Sequence, residues 1–329
     1  MQIFPSALSY LILLVSSLSI ATADEKPSGY NPARKAQPST VVKVEFQYDD
    51  RIVPLKFYLP KDSQPAPVIL LSHGLGGSRE VGQHLGEYWA GHGYVVVAMQ
   101  HAGSDESVWK GVRLRQRMAE LKKAASRKNF MARNQDVKET LNHLQKLNKG
   151  SEQFRGRFDM NTIGMSGHSF GAVTTQAVSG QNFGLTGKQF TDARIKAAML
   201  MSPSPPAVGF SDQTFGGVDI PWLLMTGTKD SSPIGRNSDP ESRRKVFQGL
   251  PAANRCYELC LWEAEHSAFS DVRASGRKRN LNPNHHVAIH AISLAFWDAY
   301  LRQSEDAKKW LQNNGPRKVL EAKDSWLKK

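Results

Sequence analysis

A serine between glycines is the feature of this sequence most able to carry chemistry. It stands in Gly167-His168-Ser169-Phe170-Gly171, between a short apolar run and a segment that starts with small residues. At a sharp turn from a strand into a helix, the glycines let neighbouring backbones approach and the serine hydroxyl is held clear of the sheet. The amides at the helix start also face developing negative charge. This pattern predicts that Ser169 is a nucleophile for acyl transfer and that His168 beside it is structural.

A second glycine-rich loop could bind the oxyanion that such an attack produces. In proteins with this strand-to-helix turn, one N–H comes from the residue after the nucleophile and another from the loop after an earlier strand. Phe170 would supply the first. Residues 68–71 lead into Ser72-His73-Gly74-Leu75-Gly76-Gly77-Ser78, where the Leu75 amide is the best candidate for the second. The loop has neither the Lys-Ser or Lys-Thr ending of a phosphate-binding loop nor dinucleotide-binding glycine spacing, so we expect no cofactor.

A histidine and an aspartate follow later apolar runs in the order that this chemistry requires, which is nucleophile, acid, histidine. His266 follows the strand-like residues 257–262, and Asp230 follows residues 221–225. Asp219 lies at the opposite end of that second run, and the strand before it ends without an acid. We predict that His266 is the base and that Asp230 orients it and stabilises its protonated form.

Three further histidines, His285, His286 and His290, open the C-terminal helical segment. His286 and His290 would share one helix face at the spacing that a metal site uses, whereas no Cys or carboxylate in the sequence accompanies them. We predict that they pack against the core or cap the helix and that the protein holds no metal. Metal binding by this pair is the alternative.

These residues need a scaffold that brings the ends of several strands together. Residues 41–47 and 52–59 alternate like half-buried strands around Asp49-Asp50, which predicts an antiparallel hairpin. Beyond the hairpin, continuous apolar runs alternate with helical segments, which is typical of a parallel sheet covered on both faces. The predicted fold is therefore α/β, with a mostly parallel, doubly wound sheet, an N-terminal hairpin and short cap insertions. The predicted strands are 68–71, 94–99, 162–165, 195–201, 221–225 and 257–262, and the predicted helices are 79–90, 170–178 and 286–301, followed by a polar tail.

Two stretches are longer than the connections between elements require. Residues 104–128 are strongly basic, which indicates either a cap over the site or a solvated helix, and the composition favours the solvated helix. Residues 181–194 follow the predicted nucleophile helix and could form part of the pocket rim. Aromatic residues near the site could line an acyl pocket, although such residues more often belong to the core: Trp109, Phe210, Phe215 and Phe269.

The N-terminus predicts export. Residues 1–6 carry no charge, residues 7–20 are mainly apolar, and Ala21-Thr22-Ala23 forms a small-residue cleavage pattern. The apolar run is short for a membrane span. We therefore expect a signal peptide of residues 1–23 that is cleaved after Ala23, and a secreted or periplasmic protein without a transmembrane segment.

The composition sets the remaining expectations. Residues 24–40 are rich in Pro, Ser, Ala and charge, which predicts a flexible leader, and residues 41–329 are enough for one catalytic domain. Cys256 and Cys260 lie four residues apart in a predicted strand that would separate them by roughly 13 Å, so we expect buried thiols. The formal net charge of +13 would attract the protein weakly to anionic surfaces, or form a solvated basic face without a partner. No nucleic-acid-binding pattern is present, so we expect no such partner.

The motifs resemble the α/β-hydrolase superfamily, and within it the serine esterases related to dienelactone hydrolase and to platelet-activating-factor acetylhydrolase. The resemblance extends from about Val41 to Leu311. Dienelactone hydrolases carry a cysteine where Ser169 stands, and the acetylhydrolases usually place the acid after the preceding strand. The resemblance implies the α/β-hydrolase fold and gives the predicted residues their roles: Ser169, Asp230 and His266 as a catalytic triad, and Leu75 and Phe170 as the oxyanion-hole amides. It rests on Ser72-His73-Gly74-Leu75-Gly76, Gly167-His168-Ser169-Phe170-Gly171, Thr226-Gly227-Thr228-Lys229-Asp230, His266 and Ala295-Phe296-Trp297-Asp298-Ala299-Tyr300-Leu301.

The expected activity is hydrolysis of carboxylic esters, with short acyl or acetyl groups, through an acyl-enzyme. The expected partner is a small-molecule or lipid-like ester, and lipid and polyester substrates are both left open. Two alternatives remain at this stage. One is a lactonase or thioesterase of the same fold, and the other is a non-catalytic, exported basic protein that binds an anionic surface.

Overall fold

The structure, a computed structural model, describes residues 29–206, 209–232, 234, 239–253, 255–270 and 282–329. The predicted signal peptide lies outside these residues. Within them, one sheet has the strand order β1-β2-β4-β3-β5-β6-β7-β8-β9. The strands are β1 Ser39–Tyr48, β2 Arg51–Pro60, β3 Ala66–Ser72, β4 Val95–Met99, β5 Phe158–His168, β6 Ile195–Met201, β7 Trp222–Lys229, β8 Cys256–Glu265 and β9 Ser325–Lys328. The helices are α1 Gln83–Ala90, α2 Leu114–Ala124, α3 Arg127–Gly150, α4 Phe170–Val178, α5 Ser211–Phe215, α6 Pro240–Gln248, α7 Pro283–Tyr300 and α8 Glu305–Gln312.

The central strands from β3 to β8 run parallel, and antiparallel strands flank them on both sides. The hairpin of β1 and β2 joins the sheet through β4, and β9 pairs with β8 at the other edge. Parallel strands place their carboxyl ends at one edge of the sheet, so the loops after β3, β5, β7 and β8 meet there. The predicted α/β-hydrolase fold with its N-terminal hairpin is confirmed.

Helices bury the sheet on both faces. Ile69 and Leu71 of β3 belong to a core cluster with residues of α1, α7 and α8, whereas Val68 and Leu70 belong to a second cluster with residues of α3. Because successive side chains of a strand point to opposite faces, a strand covered on both sides reads as an unbroken apolar run. This is why the pattern of residues 68–71 could be recognised in the sequence.

The chain after α7 differs from the predicted polar tail. It forms α8, which buries Trp310 and Leu311, and then β9. The Trp326 ring stacks on Tyr257 of β8 at a centroid distance of 5.3 Å. Without β9, the outer edge of β8 would have unpaired backbone N–H and C=O groups, and an extended segment that reaches this edge can form hydrogen bonds with them. The prediction was wrong because polarity was the guide, whereas edge pairing decides this segment.

The predicted flexible leader also differs from the structure where the structure describes it, from residue 29 onwards. The Tyr30 hydroxyl donates to Asp298 Oδ2 at 2.7 Å, Arg34 pairs with the same carboxylate at 2.9 Å, and β1 already begins at Ser39. Asp298 lies on α7 and is 3% exposed. A buried carboxylate requires partners, and these two leader residues supply two of them beside Tyr94 and Arg302. Composition alone could not reveal that pairing.

The basic insertion, residues 104–128, was predicted to be a cap over the site or a solvated helix, and it has an exposed side and a packed side. Helix α2 is exposed over most of its length, and Ala124 is its one buried residue. The inner side of the insertion approaches the glycine-rich loop after β3. There Trp109, which precedes α2, donates from Nε1 to the carbonyl oxygen of Gly76 at 2.7 Å. The insertion is therefore solvated outside and packed against the predicted oxyanion loop inside.

Two smaller findings concern the cysteines and the helices. Cys256 and Cys260 are buried free thiols, as predicted. Of the helices that the structure describes, none is both long and apolar enough to cross a membrane.

Candidate active site

Ser169 occupies the sharp turn between β5 and α4. Its backbone has φ 57° and ψ −115°, a conformation that L-residues rarely adopt. A Cβ on Gly171 would lie 1.9 Å from the carbonyl oxygen of Ser72, and one on Gly167 would lie 2.3 Å from the carbonyl oxygen of Gly171. Only glycine fits at both positions. The glycines thus allow α4 to start close to the end of β3, with Ser169 at the carboxyl edge of the sheet.

His266 and Asp230 lie in hydrogen-bonded series with Ser169. His266 Nε2 is 3.0 Å from Ser169 Oγ, and His266 Nδ1 is 2.6 Å from Asp230 Oδ1. His266 directly follows β8 and Asp230 directly follows β7. Because the carboxylate can only accept, it holds the proton on Nδ1 and leaves Nε2 to accept the serine proton. This arrangement can make a hydroxyl nucleophilic without a metal ion.

Asp230 is fully buried and has partners besides the histidine. Thr226 Oγ1 donates to its Oδ2 at 2.9 Å, and Arg243 Nε lies 3.1 Å from its Oδ1. Burial would raise the pKa of Asp230, but the hydrogen bond from His266 and the charge of Arg243 hold it below its usual value. Asp230 is therefore ionised at neutral pH, as an orienting acid must be.

Arg243 was not among the site residues predicted from the sequence. It lies on α6, is 3% exposed, and its Nη2 is 3.4 Å from His266 Nδ1. Helical spacing was the available signal, since Arg243 shares a helix face with the buried Val246 and Phe247 at i+3 and i+4. A basic residue on a buried helix face needs acceptors, and here these include the Asp230 carboxylate.

The predicted oxyanion amides come from the two loops that meet beside Ser169. Phe170 is the first residue of α4, so its N–H has no acceptor within the helix. A Cβ on Gly74 would lie 3.4 Å from the Ser169 Cβ, which places the loop that carries Leu75 directly beside Ser169. The loop that carries Leu75 and the helix start at Phe170 thus both lie next to Ser169.

Two donors orient the peptide that carries the Leu75 N–H. The Gly74 carbonyl accepts from Gly77 N at 3.0 Å and from His73 Nδ1 at 2.6 Å. Carbonyl and N–H point in opposite directions across a trans peptide, so these bonds turn the Leu75 N–H the other way. His73 Nε2 accepts from His101 N at 3.0 Å, which fixes the neutral tautomer. Burial lowers the pKa of His73 well below its usual value, consistent with that form.

His168 and the other predicted histidines have structural contacts. His168 Nε2 donates to the backbone carbonyl of His266 at 3.0 Å, and burial lowers the pKa of His168 to about 3. His285 contacts the Trp262 carbonyl at 2.9 Å. His286 stacks on His84 at 4.4 Å. The described residues contain no group of three or more His, Cys, Asp or Glu side chains placed to hold a metal.

The aromatic residues considered for an acyl pocket divide into two groups. Phe215 and Phe269 are at most 1% exposed and belong to the core. Trp109 packs on Gly76 of the oxyanion loop, and Phe210 is 70% exposed. Trp109 therefore lies beside the site, whereas the two core residues cannot line a pocket open to substrate. The predicted rim segment 181–194 packs against α3 through aromatic contacts among Phe130, Phe183 and Phe190.

Comparisons with known proteins found two similarities to acetylhydrolases. The family model described as platelet-activating factor acetylhydrolase, isoform II, matches residues 56–193, which contain Leu75, Ser169 and Phe170. A platelet-activating factor acetylhydrolase of Cavia porcellus is 28% identical over 230 residues, covering 59% of this chain and 49% of the relative. The chain thus spans about half the length of that curated relative. The predicted resemblance to acetylhydrolase-type serine esterases is confirmed by these matches.

Proposed function

We propose that this protein is a carboxylic ester hydrolase in which Ser169 is the nucleophile, His266 the base and Asp230 the acid that orients the base. The strongest support is the unbroken hydrogen-bonded series from Asp230 through His266 to Ser169 at a strained turn. Strain of this kind persists only where the surrounding structure maintains it, and it clusters at active sites. The similarity to an acetylhydrolase supports the same class of reaction.

The proposed reaction has two halves. Ser169 Oγ attacks the ester carbonyl while its proton moves to His266 Nε2, and the Leu75 and Phe170 amides bind the oxyanion. His266 then gives this proton to the leaving alcohol, and an acyl-enzyme remains. Water, deprotonated by His266, attacks the acyl carbonyl. Collapse of the second oxyanion breaks the bond to Ser169 Oγ, which takes the proton back from His266, and the carboxylic acid is released.

The proposed substrates are esters with short acyl or acetyl groups. The name of the relative is that of an acetylhydrolase, so acetyl esters are the first to test. Lipid and polyester esters share the reacting group, and Trp109, which packs on Gly76 beside the site, offers apolar contact for longer chains.

The proposed location is outside the cytoplasm, after cleavage behind Ala23 and export. The net charge of +13 supports a weak attraction to anionic surfaces. N-terminal sequencing of the protein recovered from the culture medium or periplasm should begin at Asp24. Retention of Met1 in the exported protein would contradict the proposed cleavage.

The test of the activity uses the purified full chain with p-nitrophenyl acetate and a fluorophosphonate probe. The unaltered protein should hydrolyse the ester and be labelled once, whereas Ser169→Ala should lose both reactions and keep its thermal unfolding temperature. Ser151→Ala, at the end of α3, is the matched control and should retain both. Unchanged turnover in Ser169→Ala would end the proposal. A panel of p-nitrophenyl esters from acetyl to palmitoyl, with a phospholipid, a lactone, a thioester and a polyester film, then gives the substrate class.

A further inference from the structure

A buried arginine lies directly behind the predicted oxyanion hole. Arg133 belongs to α3, is 0% exposed, and has no role in the reaction described above. Burial lowers its pKa to about 9, so it is still cationic at neutral pH. A buried guanidinium that survives in a fold must have its donors satisfied, and the identity of the acceptors shows what it holds together.

On one side, Arg133 binds the loop that carries the Leu75 amide. Its Nη2 donates to the carbonyl oxygen of His73 and, at 2.9 Å, to Ser72 Oγ. These acceptors are the last residue of β3 and the first residue of the glycine-rich loop. Its Nη1 donates at 3.0 Å to Ser104 Oγ, and the Ser104 carbonyl accepts from the backbone N–H of Gly76. The loop is therefore attached to Arg133 at both ends.

On the other side, Arg133 binds the start of α4. Its Nε donates to Thr174 Oγ1 at 2.9 Å, and the guanidinium carbon lies 4.6 Å from the centroid of the Phe170 ring. Thr174 Oγ1 in turn donates to the Phe170 carbonyl at 3.0 Å. Phe170 supplies the second predicted oxyanion amide. One planar group thus contacts both of the backbone segments that must keep a fixed separation.

A second buried series holds the Ser72 hydroxyl to which Arg133 donates. Ser72 Oγ is 2.9 Å from His101 Nε2, and His101 Nδ1 is 2.8 Å from Asp136 Oδ2. Because Arg133 can only donate, Ser72 accepts from it and gives its own proton to His101. Arg51 also pairs with Asp136. Although this series has a serine, a histidine and a carboxylate, its serine is fully buried and its hydroxyl is engaged on both sides.

The charge of Arg133 is not cancelled by a direct partner. In the described part of the chain no carboxylate forms an ion pair with it, and its acceptors are hydroxyls and one carbonyl; Asp136 and Asp105 act on its charge only from beyond ion-pair distance. A fixed positive charge in a dry environment stabilises an anion that forms nearby. The same side chain can therefore align the two amides and favour the oxyanion electrostatically.

We propose that Arg133 is the positioning residue of the oxyanion hole, where its guanidinium sets the separation and orientation of the Leu75 and Phe170 amides. This inference rests on the proposed esterase function. Arg133 is therefore expected to stabilise the transition state and to have little effect on substrate binding.

The cleanest test compares two neighbouring threonines of α4. Thr174→Val removes the contact with Arg133 Nε and the hydroxyl bond to the helix carbonyl four residues earlier. Thr175→Val removes the equivalent bond to the Gly171 carbonyl, at 2.9 Å, and leaves Arg133 unaffected. Both threonines are 0% exposed. We expect kcat and kcat/KM on p-nitrophenyl acetate to fall together by about tenfold in Thr174→Val and by less than threefold in Thr175→Val.

Direct replacement of the arginine gives the larger effect. Arg133→Lys keeps a positive charge but cannot bind both segments, and Arg133→Gln loses the charge. Arg133→Lys should lower kcat about 100-fold per fluorophosphonate-titrated site, as loss of an oxyanion donor does, and Arg133→Gln should lower it further because the charge is also lost, with KM within about threefold in both. Amide hydrogen exchange of residues 73–77 should be at least about tenfold faster in Arg133→Lys.

Several outcomes separate this inference from the proposed function. Absence of ester turnover in the unaltered protein would refute the function, and the exchange measurement would still decide the role of Arg133. Unchanged exchange, or equal kinetics in Thr174→Val and Thr175→Val, would overturn the positioning role. Folded Arg133 variants with unaltered kcat would do the same.

Discussion

The contact of Arg243 with Asp230 and His266 leads to a quantitative prediction for Asp230→Asn. In the proposed mechanism, His266 becomes an imidazolium in the transition state, and Asp230 stabilises it. Two unit charges about 4 Å apart attract by about 4 kcal/mol at an effective dielectric constant of about 20. With about 1.36 kcal/mol for each factor of ten, loss of the carboxylate charge should lower kcat about 10³-fold.

In the Asp230→Asn variant, Arg243 should lower kcat further than loss of the carboxylate alone would. Its unopposed charge then repels the imidazolium. Its Nη2, 3.4 Å from His266 Nδ1, can also donate to that nitrogen and favour the tautomer that cannot accept the Ser169 proton. In the Asp230→Asn background, Arg243→Gln should therefore raise kcat by about tenfold or more. In the unaltered protein the same change should lower kcat, because Asp230 loses a partner that keeps it ionised and in place.

The assay is steady-state hydrolysis of p-nitrophenyl acetate by the four proteins of this double-mutant cycle. Active sites are titrated with a fluorophosphonate and folding is followed by thermal unfolding. A change of sign in the effect of Arg243→Gln between the two backgrounds is the expected result. If Asp230→Asn retains more than a tenth of the activity, Asp230 is not the orienting acid. If Arg243→Gln lowers kcat in both backgrounds, the charge argument is wrong.

Three further predictions concern the loop, the turn and the buried histidines. His73→Asn keeps a donor at the Nδ1 position and should retain kcat within about tenfold, whereas His73→Gln lacks that donor and should lose about 100-fold; equal losses would contradict the proposed role of the ring. Gly171→Ala should lower the free energy of unfolding by about 3 kcal/mol because its Cβ meets a backbone carbonyl, and Gly150→Ala, whose Cβ meets no atom within 4 Å, should leave it nearly unchanged in urea denaturation. Burial lowers the pKa of His101 to about 4 and that of His168 to about 3, so from pH 7 to pH 5 only the unfolded chain takes up these protons. With an unfolded pKa of about 6.5, each histidine should then cost about 2 kcal/mol of stability at pH 5, and equal stability at the two pH values would refute the burial argument.

The strands, the turn and the order of the site residues were predictable because each has a local cause. Residues buried on both faces give continuous apolar runs, as in β3, and the glycines around Ser169 form a short motif that can be recognised locally, although Gly171 makes its closest contact with the distant Ser72. Asp230 and His266 could be placed because each directly follows a strand, and parallel strands end at one edge. Periodicity and spacing are properties of the chain itself, so they can be recognised without coordinates.

The partners across the sheet depended on the tertiary structure. Arg133, Arg243 and Asp298 are charged residues in helical segments, and although apolar neighbours such as Val246 and Phe247 mark a buried face, the sequence does not show which distant groups each charge contacts. Hydrogen-bond partners of all three lie on other elements, at separations of 41 residues for Arg133 and Thr174 and 264 for Asp298 and Arg34. A buried charge is stable only where distant groups converge on it, and that convergence is a consequence of the completed fold. The sequence thus determined the elements and the reacting groups, and the tertiary structure decided which buried charges hold those groups in place.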